Sequence, residues 1–148
     1  MNDTLPSSSV FTIGNDADTN NGTDTYIAYC FTEKQGFSKF GTYVGNGNTD
    51  GTFVYTGFKP AWVMLKATDA SKSWYMFDNK RPGFNEIDLM LLADTADTES
   101  SDAIDFLSNG FKLRTSGSGE NGSGTNYVFF AFAESPFVNS NGVPNNAG

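Results

Sequence analysis

The 148-residue chain predicts an all-β fold, an antiparallel two-sheet sandwich of the jelly-roll type. Three observations carry this. Sixteen glycines, 15% aromatic residues and few windows of helical periodicity describe a β protein rich in turns. Short apolar runs recur with turn signals about every ten residues, the spacing of a sandwich. Finally, the aromatic segment YVFFAFAE at Tyr127–Glu134 has an early near-copy, YIAYCFTE, at Tyr26–Glu33. Cys30 is the single cysteine, so the paired cysteines of an immunoglobulin domain are absent and long loops favour a jelly roll.

The elements follow in order. Residues 1–9 are polar and ordered only by neighbours. Val10–Ile13 reads as a short strand and Asn15–Thr25 as an Asn/Asp/Thr/Gly loop. Tyr26–Glu33 alternates large Ile27, Tyr29 and Phe31 with small Ala28, Cys30 and Thr32. In the later copy Val128, Phe130 and Phe132 take the large positions, which predicts that this face lies in the core. Phe37–Val44, Thr52–Phe58, Ala61–Thr68, Trp74–Asp78 and Ile87–Leu92 read as strands; Gly45–Gly51, Asn79–Glu86 and the acidic Ala93–Ala103 read as loops. Ile104–Leu107 and Phe111–Thr115 flank Asn109-Gly110, a strong hairpin signal. Ser116–Thr125 is a Gly/Ser loop before the final aromatic strand. This divides the chain into a terminal strand pair (1–35) like the end of a preceding repeat, a sandwich domain (36–138) and a polar tail (139–148).

Composition excludes several functions. A net charge of −8 and a pI near 4.2 leave no basic patch for nucleic acid or an anionic membrane. Histidine is absent, and with it the commonest general base and metal ligand. No apolar run reaches membrane-spanning length, and Met1 is followed by polar residues instead of a signal-peptide core.

Several blocks in order carry a family resemblance: YIAYCFTEKQGFSKFGTYVGNGNTDGTFVYTGFKPAWVMLK, WYMFDNKR, IDFLSNGFKLRTS and NGSGTNYVFFAFAESPF. Together they resemble a group of virion proteins of marine bacteriophages, tail- or fibre-associated, with concanavalin-A/laminin-G-like jelly-roll domains. The resemblance implies a surface-facing virion component, assembled in the bacterial host cytoplasm. A lectin-like fold does not by itself imply lectin function.

Cys30 has no histidine to activate it, and its counterpart is Ala131, so it reads as a small buried residue. Asp94, Asp97, Glu99, Asp102 and Asp105 read as a solvated acidic stretch more readily than as a catalytic pair. Glu33 and Glu134 close equivalent strands and read as structural. Asn15–Asp24 echoes half a calcium loop, but Ile27 stands where an EF-hand needs glutamate; Ser116–Thr125 contributes only Glu120 as an acid. No metal, cofactor or catalytic residue is assigned. Trp74, Tyr75, Asp78, Asn79, Lys80 and Arg81 offer an aromatic platform beside planar polar groups and are the candidate glycan site. Tyr26, Ile27, Tyr29 and Phe31 form the candidate assembly strand, because a strand pair without the rest of its unit leaves open backbone groups. The expected function is non-enzymatic: virion structure and homo-oligomeric assembly with other virion subunits, with a host-surface glycan as a further partner. The alternatives are a glycan-degrading enzyme domain and a capsid decoration or filament-forming module without a ligand.

Overall fold

The computed structural model describes residues 4–81, 85–139, 141 and 143. The middle of the expected 79–86 loop and most of the 139–148 tail lie outside the described residues. The chain forms two compact units, Met1–Phe31 and Thr32–Gly148.

The second unit is all-β. Its strands are β1 (Ser38–Val44), β2 (Phe53–Tyr55), β3 (Pro60–Ala67), β4 (Trp74–Asp78), β5 (Ile87–Leu92), β6 (Ser100–Leu107), β7 (Gly110–Leu113) and β8 (Asn126–Ala133). They form one antiparallel, nearly barrel-shaped sheet in the order β1-β8-β3-β4-β5-β6-β7-β2. The Asn-Gly hairpin joins β6 to β7 as its turn chemistry requires, with Leu107 opposite Gly110. β6 begins earlier than expected, at Ser100, because the end of the acidic stretch pairs with Leu89 and Met90.

The core lies on one side of this sheet. Val63, Leu65, Phe77, Phe111 and Leu113 are fully buried, and Tyr43 stacks on Tyr127 with ring centroids 4.9 Å apart. β8 faces the opposite way from the expectation. Tyr127, Phe129 and Ala131 are buried, while Val128, Phe130 and Phe132 are half-buried on the outer face. The reason is local fit. Phe129 lies against Gly41, where a Cβ would come within 2.9 Å of its ring. The Tyr127 hydroxyl donates to Ser118 O at 2.9 Å and accepts from Gly122 N at 2.8 Å, so this ring is buried without an orphaned polar atom. The outer aromatics pack on one another: Phe130 and Phe132 meet Phe40 edge-on, Phe132 meets Trp62, and Phe130 meets Trp74.

The first unit corrects two expectations. Neither Val10–Ile13 nor Tyr26–Glu33 is a strand. Its one regular element among the described residues is a helical turn, α1 (Ala17–Asn20), whose N-cap Asp16 accepts from Asp18 N at 2.9 Å. Tyr26 serves this turn, donating to Ala17 O and accepting from Asn21 N. A two-stranded pair lacks the area to hold itself together in water. Cys30, expected to be buried, is exposed for the same reason: no neighbouring strand covers it as Val63 and Lys39 flank Ala131.

Candidate functional site

The two end strands of the sheet border an open cleft in the second unit. Among the described residues the only strand paired with β1 is β8 and the only strand paired with β2 is β7. Their unpaired sides flank a cleft of about 300 Å³ lined by Lys39–Tyr43, Phe53–Tyr55 and Phe129. The cleft is pinned at one end, where Thr52 Oγ1 donates to Val44 O at 2.8 Å. Phe53 and Tyr55 are exposed beside it. This is an open β edge with an apolar wall, the arrangement that accepts an added strand.

The backbone leading into β1 already turns toward that edge. Lys34 and Ser38 form an antiparallel bridge, and Phe37 N and Ser38 N both donate to Lys34 O at 2.9 Å. Glu33 reinforces the turn, accepting from Lys39 Nζ at 2.9 Å and Phe40 N at 3.3 Å. The Lys39 ammonium holds its carboxyl below the usual glutamate value. Of the assembly candidates, Ile27, Tyr29 and Phe31 are exposed, at 77%, 80% and 59%. Tyr26 is 43% exposed and keeps its hydroxyl on α1.

The six glycan candidates do not form one open platform. Trp74 faces outward against Phe130, whereas Tyr75 packs against the core. Asp78 accepts from Arg81 Nε at 2.6 Å and from two backbone amides of its own turn. Arg81 also reaches Glu99 at 2.9 Å. Burial alone would raise the Asp78 pKa, but the Arg81 guanidinium and those amides prevail and hold it low. Asn79 donates to Glu134 Oε1 at 2.7 Å, and Glu134 pairs with Lys59 at 2.7 Å. Only Lys80 of the six is exposed. Glu33 and Glu134 thus have parallel structural roles, each joined to a lysine, which their equivalent places in the repeat suggested.

The acidic stretch is dispersed. Asp94 accepts from Trp74 N, Glu99 pairs with Arg81, and Asp105 pairs with Arg114 at 2.5 Å. Asp102 instead turns toward Glu120, a residue whose role the sequence reading missed. Glu120 is 2% exposed, and its pKa is pushed up to about 9, first by burial and then by the Asp102 carboxyl. Its neighbour Asn121 is also fully buried, accepting from Asn46 N and donating to Asn46 Oδ1, Asn48 O and Thr115 O. Both residues sit in a Gly/Ser loop that resembles any solvated turn. Tyr43, Asn46, Asn48 and Asp102, which face them, come from far along the chain, so local sequence gives no signal.

No curated protein and no solved structure matches the chain. The family model of a domain of unknown function, DUF7483, matches residues 1–136, and the chain belongs to that family.

Proposed function

We propose that the chain is a non-enzymatic structural module of a phage virion, a tail, fibre or surface-displayed component, that assembles into homo-oligomers by strand addition. The carrying observation is the cleft between the unpaired edges of β1 and β2, together with an exposed strand-like segment beside it in sequence. The donor is Tyr26–Glu33 of a second copy. Its pattern copies β8, which already pairs with β1 on the other side. The Lys34–Phe37 turn is the hinge, and an exchange across it is domain swapping. The antiparallel sheet and long loops also support a concanavalin-like jelly roll as the finer fold. The acidic charge supports protein partners over nucleic acid or membrane.

Continuing the Lys34–Ser38 register into the added strand sets Cys30 of one copy opposite Thr42 of the other, which supplies the test. In a Thr42→Cys variant, oxidation joins Cys30 to residue 42 between copies and gives a covalent dimer on a non-reducing gel. Light scattering of the unmodified protein shows a concentration-dependent oligomer. An intramolecular bond, or a monomer at every concentration, would contradict the reading. Host-glycan recognition remains a second reading because part of the Trp74 indole stays accessible on the outer face. Glycan-array hits lost on Trp74→Ala would support it. Release of reducing sugar from host polysaccharide would instead favour the enzyme alternative.

A further inference from the structure

We infer that Asn21 is a site of spontaneous covalent modification: its carboxamide closes on the Gly22 amide to a succinimide, which water opens to aspartate or isoaspartate. Four Asn-Gly pairs lie among the described residues, at Asn21, Asn46, Asn109 and Asn121, and the fold leaves only the first open to this chemistry. Water is the single co-reactant. Gly22 N gives its proton to solvent and bonds Asn21 Cγ; the Cγ–Nδ2 bond breaks and that nitrogen leaves as ammonia. One water then opens either ring carbonyl. Such a closure needs an unhindered glycine amide and donors for the charge that develops on Oδ1.

Asn21 meets both needs. Gly22 N donates to no acceptor among the described residues, and a Cβ built on Gly22 meets nothing within 4 Å. Asn21 Oδ1 accepts from Thr23 N at 3.3 Å and Thr23 Oγ1 at 3.1 Å, two donors already placed where the oxyanion forms. Asn21 Nδ2 donates to Asp24 Oδ2 at 2.9 Å, which holds the carboxamide in that orientation. Ring closure turns the Asn21 Cα–C bond away from its ψ of 128° and gives up the exposed bond from Asp24 N to Asn21 O at 3.2 Å. The other three pairs are locked. Gly47 N donates to Asn121 O at 2.8 Å. Gly122 N donates to the Tyr127 hydroxyl at 2.8 Å, and the Asn121 side chain is buried on its own partners. Gly110 lies in β7 opposite Leu107 and Tyr55, and the Asn109 carbonyl accepts from Thr56 N and Gly57 N. The product differs from its parent by an added negative charge beside Asp24. In isoaspartate the main chain also gains a methylene between α1 and Tyr26, whose hydroxyl accepts from Asn21 N.

Peptide mapping by mass spectrometry of the full chain, incubated at mildly alkaline pH, tests the assignment. In native protein the amide-to-acid conversion accumulates at Asn21 at least about tenfold faster than at Asn46, Asn109 or Asn121. Enzymatic methylation of the new carboxyl identifies isoaspartate. In urea the four pairs convert at similar rates, which separates control by the fold from the reactivity of the dipeptide. Gly22→Ala slows conversion at Asn21 by at least about tenfold. Thr23→Val, which removes one donor to Oδ1, slows it in native protein and not in urea. The inference is overturned if Asn21 stays intact in native protein while the chain in urea converts, or if Asn46, Asn109 or Asn121 keeps pace with it in native protein. An unchanged native rate in Thr23→Val would also overturn it. The comparison of wild type with and without urea decides even where a variant fails to fold.

Discussion

Tyr127–Glu134 and Tyr26–Glu33 share a sequence pattern and have opposite fates. The first contains β8, paired on both sides by β1 and β3. The second takes no strand and leaves Ile27 and Tyr29 largely exposed. The loops before them differ in the same way. Asn15–Thr25 bonds only to itself and near neighbours, as where Asn21 donates to Asp24 and Asn20 to Gly14 O. Ser116–Thr125 buries Glu120 and Asn121 against distant elements. An alternating aromatic segment is therefore only a request for partners; the neighbours decide whether it becomes a strand.

The largest break in that comparison comes from the core. Phe129→Ala removes a ring that is 3% exposed and costs about 3–5 kcal/mol in urea unfolding. At the equivalent segment, Tyr29→Ala changes the stability of the dilute protein by less than about 0.5 kcal/mol. The Glu120 carboxyl ranks next. The folded protein holds its proton up to about 9, whereas the unfolded chain releases it near 4.5. The contribution of Glu120 to stability is thus fully present below about pH 4.5 and is lost as pH rises toward 9. Glu120→Gln flattens this slope, by about 3 kcal/mol between pH 5 and 8, in pH-dependent denaturation. Gly41→Ala follows: its methyl group meets the Phe129 ring and costs about 1–3 kcal/mol. The smallest contrast is chemical. Cys30 reacts with a thiol reagent in dilute native protein and is protected as concentration rises.

Much of the fold was legible in the sequence. β4 and β5 match the expected strands, and the Asn-Gly hairpin formed as its turn predicts. The facing of β8 was not legible, because both of its faces are apolar and carry no register information. Gly41 and the partners of the Tyr127 hydroxyl settle it. The glycan candidates share a strand and turn in sequence, but alternation sends Trp74 and Tyr75 to opposite faces, and Asp78, Asn79 and Arg81 are taken up by internal pairs. Glu120 was visible only as a lone acid, since its partner Asp102 comes from β6.

Amide hydrogen exchange across a dilution series tests the central claim most directly. Amides of β8 stay protected at every concentration. Those of Ile27–Thr32 exchange freely in dilute protein and slow by at least about tenfold as copies associate. Free exchange of Ile27–Thr32 at all concentrations, or protection that survives full dilution, would contradict strand addition between copies.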